Sequence, residues 1–119
     1  MIEYHLGKSG KIAEVLRNSV KKANTDDILQ LMVDAGYTHS VQSMIIHAES
    51  LPSEFFDLKS GIAGEILQKF SNYRMKLAIV GDFSEIKSRS LRDFIRESNE
   101  RKIISFVSSV NEALSILDK

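Results

Sequence analysis

Three histidines, sixteen carboxylates and a scatter of serines are the groups in this 119-residue chain that could move a proton, hold a cation or accept a phosphate. His47 stands in the apolar run Met44-Ile45-Ile46-His47-Ala48, where an imidazole could serve as acid, base or ligand because it titrates near neutrality. A lone histidine at a strand end is more often packed and hydrogen-bonded, and no triad partner has the right sequence context, so the packed reading outweighs the chemical one. His5 and His39 fall in a first strand and a loop, so a three-histidine centre would need a coincidence of folding. The expectation is no metal and no cofactor. Asp57 and Asp82 could pair as carboxylates or hold magnesium. Gly81-Asp82 reads better as a strand-ending turn, in which the aspartate bonds nearby amides. Ser60, at a helix start, could take a phosphate that the helix dipole would favour, yet such a serine usually caps its helix.

The best lead for a small anionic ligand is Ser88-Arg89-Ser90-Leu91-Arg92, which combines hydroxyls, guanidinium groups and free amides at a helix N-terminus. Lys87 and Arg96 extend its basic character, while Glu85, Asp93 and Glu97 dilute it toward a solvated, mixed-charge helix. Phe55-Phe56, beside Leu51 and Pro52, reads either as an exposed apolar edge for a partner or as a loop folded over the sheet end. There is no glycine-rich phosphate loop, G-x-S-x-G elbow or H-E-x-x-H pair. Without cysteine, disulfides, thiolate metal sites and cysteine nucleophiles are excluded. Sixteen Lys+Arg balance sixteen Asp+Glu, so no bulk positive field exists for general nucleic-acid binding. No long apolar stretch suggests a signal peptide or a membrane span, and the expected location is the cytoplasm.

These groups need a scaffold to position them, and 119 residues suit a single domain of ordinary globular composition. Two short runs, residues 2–6 and 12–16, flank Gly7-Lys8-Ser9-Gly10 and predict an antiparallel hairpin. Asn24 or Thr25 can cap a first helix carrying Asp26 and Asp27 in its first turn, with Ile28, Leu31, Met32 and Ala35 at helical spacing and Gly36 as its stop. Residues 44–48, 76–80 and 103–107 are apolar runs of the kind buried in a parallel sheet. Helical patterns fill residues 60–73, a stretch from Ser88 or Ser90, and a last helix capped by Ser108 or Ser109. Strands alternating with single helices imply right-handed crossovers, hence an α/β sandwich with a mainly parallel sheet of four or five strands, an N-terminal hairpin and about four helices. Ile45, Ile46, Ile62, Ile66, Phe70, Leu77, Ile79, Phe94, Ile104 and Phe106 are the expected core. Ligands in such sheets sit beyond the carboxyl ends of the strands, a rim that would carry His47, Glu49, Asp57, Ser60, Asp82, Ser84, Ser88, Arg89, Ser90 and Ser108.

The block Phe55-Phe56-Asp57-Leu58-Lys59-Ser60-Gly61-Ile62-Ala63-Gly64-Glu65-Ile66-Leu67 resembles the anti-sigma-factor antagonist (STAS) fold, which shares this element order. Domains of that kind carry a loop Asp-Ser-Ser/Thr-Gly-Leu-Gly whose first serine accepts a phosphate in partner-switching versions. Ser60-Gly61-Ile62-Ala63 matches the end of the loop, and aligning the glycine puts Lys59 at the phosphoacceptor position and Leu58 at the preceding aspartate. Residues 55–73, 76–83 (Lys-Leu-Ala-Ile-Val-Gly-Asp-Phe) and 88–95 (Ser-Arg-Ser-Leu-Arg-Asp-Phe-Ile) are similar to a family of small bacterial domains of unknown function. The leading expectation, drawn partly by analogy with the anti-sigma-factor antagonists, is a non-enzymatic cytosolic regulatory or protein-interaction domain that meets a protein partner, a homodimer included, through the rim and the helix start at residues 57–64, with Phe55, Phe56, Asp57 and Ser60 as the candidate contact residues. The alternative is a small anionic-ligand binder or enzyme using His47, Asp82, Ser88 and Arg89 at the strand rim.

Overall fold

The computed structural model describes residues 2–7, 10–16, 25–39 and 41–118. Strand β1 (Ile2–Gly7) pairs antiparallel with β2 (Gly10–Val15), from Ile2 opposite Val15 to Gly7 opposite Gly10. The expected hairpin is there, and Lys8 and Ser9 at its tip lie outside the described residues. Helix α1 (Thr25–His39) follows, and Asn24, the alternative cap, also lies outside them. Gly36 does not stop this helix. A Cβ there would stand 3.2 Å from Met75 Cε, so the glycine lets the helix lie close to the start of the fourth strand, and the helix runs on to His39.

Strand β3 (Val41–His47) begins three residues before the expected 44, because exposed Gln42 and buried Ser43 interrupt the apolar run that marks a strand in sequence. Three 3₁₀ turns follow at Ala48–Ser50, Ser53–Phe56 and Leu58–Ser60, then α2 (Ile62–Asn72), β4 (Lys76–Val80), α3 (Arg89–Arg101), β5 (Ile104–Val107) and α4 (Val110–Leu117). The sheet order is β1-β2-β3-β4-β5, antiparallel only between β1 and β2 and parallel from β2 to β5. The mixed α/β fold expected from the alternation of elements is the one observed. No helix among the described residues is long and apolar enough to cross a membrane.

A sheet that steps one way through same-handed crossovers must carry those crossovers on one face. Accordingly α1, α2 and α3 cover one side, where Ile28, Met32, Ala63, Ile66 and Phe70 pack on Ala13, Met44, Ile46, Leu77, Ile79 and Ile104. Among the described residues, α4 is the helix on the other side, with Ala113 and Leu117 against Ile45, Ala78, Val80 and Val107. Of the expected core residues, Ile62 and Phe94 are only partly buried; the other eight are buried. One helix cannot cover five strands, and the face of β1 and β2 beside α4 carries polar side chains.

Candidate functional site

At the carboxyl rim the strand ends are tied by local hydrogen bonds. Asp82 Oδ1 accepts from the Ser84 amide at 3.0 Å and from its hydroxyl at 2.6 Å. Those two bonds hold the exposed Asp82 carboxyl below its ordinary range. Ser88 Oγ accepts from the Leu91 amide at 3.2 Å and caps α3, while Arg89 and Ser90 are exposed in its first turn. Ser109 caps α4 through the Glu112 amide at 3.1 Å, and the Ser108 hydroxyl donates to Glu112 Oε2 at 2.9 Å. Asp57 accepts from the Lys59 amide at 3.2 Å. The Ser60 hydroxyl lies 2.6 Å from the Glu54 carbonyl and 2.7 Å from that of Asp57, and its oxygen accepts from the Ile62 amide at 3.2 Å. Gly61, at φ 79°, takes the left-handed conformation between this turn and α2. Among the described residues, the buried Ser50 hydroxyl has no hydrogen-bond partner.

Phe55 and Phe56 do not form an exposed apolar edge. Phe55 is fully buried and meets Phe56 edge-on at 5.0 Å and Phe106 at 6.3 Å. Phe83 and Phe94 extend the row of rings across Phe106. The 3₁₀ turns after Pro52 fold the loop down over the sheet end and bury the aromatic surface of Phe55 there.

Among the described residues, a cluster of ionisable groups lies on the α4 side of the sheet. Glu14 and His47 are 7% and 4% exposed. Glu14 Oε2 accepts from His47 Nε2 at 2.9 Å, and Glu14 Oε1 accepts from His5 Nε2 at 2.9 Å. Strand alternation explains the arrangement: Glu3 stands directly opposite Glu14 across the hairpin and His5 lies two residues along on the same face. Ile45 is the neighbour of Glu14 in the next strand, and His47 lies two residues past it. Burial alone would push the Glu14 carboxyl up, but hydrogen bonds from His47 and His5, and their charges when protonated, outweigh it and leave the group below its usual range. Glu3, His5 and Glu14 each bring a ligating atom within 4.8 Å of the others.

His47 is the member of this set singled out in the sequence. Glu14 and Glu3 are not among the sequence candidates, although a charge inside the strand run Ile12-Ala13-Glu14-Val15 signals that something polar must face it. Asp82 and Ser88 stay at the rim with the local bonds described above, and Arg89 is exposed beside them. Clefts open elsewhere. One, of about 270 Å³, is lined by Met32, Val41, Tyr73 and Met75; another, of about 420 Å³, by Tyr4, His5, Leu6, Ile12, Leu114 and Asp118.

The family described as Domain of unknown function (DUF4180) matches residues 8–117. The chain belongs to this family. In this DUF4180 chain the match takes in Glu14 and His47 and the whole parallel sheet, while β1, with Glu3 and His5, precedes it. No curated protein and no solved structure matches the chain.

Proposed function

We propose that this DUF4180 chain is a non-enzymatic cytoplasmic regulatory or protein-interaction domain, similar in fold to bacterial anti-sigma-factor antagonists, that receives a protein partner on the turn at Asp57–Ser60 and the first turn of α2. The observation that carries this reading is Gly64. It sits inside the first turn of α2, is exposed, and a Cβ built on it would meet nothing within 4 Å. A helical glycine costs about 0.5–1 kcal/mol relative to alanine, and among the described residues no neighbour requires its smallness. A partner backbone lying against the helix would. Exposed Lys59, Ser60, Gly61 and Glu65 surround it, with Leu58 and Ile62 half-buried, which suits a small mixed interface.

The rim bonds weigh in the same direction, since Asp82, Ser88, Ser108 and Ser109 serve turns and caps. A phosphate switch is not part of the proposal. Lys59 takes the place of the phosphoacceptor and the Ser60 hydroxyl is already engaged, so intact mass of the protein from its host is expected to show no phosphate on this loop.

Site-specific photo-crosslinking in the native host tests the proposal. A photoreactive side chain at position 59 is expected to give a discrete protein adduct, and one at exposed Ser115 on α4, across the sheet, is expected to give none. Absence of an adduct at 59 in the folded protein, or equal adducts at both positions, would count against this face.

A further inference from the structure

We propose that Glu3, His5 and Glu14 form a binding site for one divalent first-row transition-metal ion, with His47 holding the Glu14 carboxylate in place behind it. The argument starts from register. Glu3 and Glu14 stand directly opposite each other on one face of the β1–β2 hairpin, and like charges so placed repel. Their ligating atoms nonetheless converge with that of His5, all within 4.8 Å of one another, so the site gathers negative charge where a cation would relieve it.

The inner carboxylate is built for the purpose. Glu14 is buried, and His47 Nε2 donates to its Oε2 at 2.9 Å, which fixes the plane of the carboxylate and leaves Oε1 turned to His5. An outer partner that orients a ligand in this way is the usual companion of a metal centre. The remaining geometry needs little change. Ligands about 2.0–2.1 Å from a tetrahedral ion stand roughly 3.3 Å apart, so the 2.9 Å between His5 Nε2 and Glu14 Oε1 must open slightly and Glu3, exposed on the edge strand, must swing inward. On binding, a neutral His5 moves its proton from Nε2 to Nδ1, or a protonated one releases it, so that Nε2 can ligate.

One imidazole and two carboxylates suit zinc or manganese better than calcium or magnesium, which take all-oxygen shells. Three protein ligands leave room for water or a ligand atom, and His5 also lines the cleft of about 420 Å³ bounded by Tyr4, Leu6, Leu114 and Asp118. The ion would therefore face solvent through that cleft.

Calorimetric titration of the untagged full chain with zinc chloride, paired with thermal unfolding, is the test. One equivalent is expected to bind at micromolar or lower concentration and to raise the unfolding temperature. Glu3→Gln and His5→Gln, both on the edge strand, are each expected to weaken binding more than tenfold, and Glu100→Gln, exposed on α3, to leave it unchanged. His47→Gln is expected to weaken it about ten- to a hundredfold, as loss of an orienting partner does. Glu3→Gln keeps the test decisive even if a histidine variant does not fold, because that side chain is exposed. No stoichiometric binding by the wild type, or binding unaffected by Glu3→Gln in the folded protein, would overturn the proposal.

Discussion

Replacing Phe55 by alanine should unfold much of what the carboxyl rim rests on. Its ring is fully buried, pairs edge-on with Phe56 at 5.0 Å and lies 6.3 Å from Phe106. Removing a buried phenylalanine side chain costs about 3–5 kcal/mol in lost transfer energy and cavity. An edge-to-face partner adds about 0.5–1.5 kcal/mol beyond area alone. Against a total stability of about 5–15 kcal/mol, the loss is a large fraction. In urea, with a slope near 2 kcal/mol/M, the two together should lower the midpoint by about 2–3 M while the slope stays unchanged. Phe55→Leu keeps most of the volume and should lose roughly 1 kcal/mol, so it serves where the alanine variant is too unstable to study. A loss below about 1 kcal/mol for Phe55→Ala would place the ring outside the core and restore the reading of an exposed apolar edge.

Gly81→Ala should destabilise by about 1–3 kcal/mol, as overpacking does, because its Cβ would stand 2.8 Å from Ala48 Cβ and 3.1 Å from Phe83 Cζ; an unchanged denaturation midpoint would contradict that contact. Asn99→Ala should free the outer edge of β5, since the Asn99 carboxamide accepts from the Phe106 amide at 2.7 Å and donates to its carbonyl at 3.4 Å. Faster hydrogen exchange at the Phe106 amide, with about 1 kcal/mol lost, is the expected result. Ser84→Ala should let the Asp82 carboxyl rise toward its ordinary range in a carbon-detected NMR titration. Because the folded-state value is depressed, the stabilisation from Asp82 is present above the ordinary carboxylate range and lost as pH falls through the folded value. The wild type should therefore lose slightly more stability on acidification than Ser84→Ala.

The fold was legible because its signals are local. Lys76–Val80 is bounded in the sequence as it is in the sheet, with an apolar run between Met75 and Gly81-Asp82, and the alternation of such runs with helical periods dictated a parallel sheet. Boundaries failed where tertiary packing overrode local preference. Gly36 continues its helix because Met75 needs the space, and the turns after Pro52 bury Phe55 through contacts with Phe106, fifty-one residues away in sequence. The cluster around Glu14 was hidden for the same reason. Its bond to His47 spans 33 residues, and only the side-by-side register of β2 and β3 brings the two together. The sequence favours a packed, hydrogen-bonded His47 but does not name its partner, since that partner is supplied by another strand's alternation.

The claim that the first turn of α2 receives a partner is tested most directly by Gly64→Ala, measured for stability and for crosslinking from position 59 in the same cells. With open space around its Cβ position, alanine should fit without strain and raise stability by about 0.5–1 kcal/mol, as a better helix former does. The account predicts that this more stable protein gives markedly less adduct, because the added methyl stands where the partner approaches. A stabilised Gly64→Ala protein that crosslinks as efficiently as the wild type would contradict it.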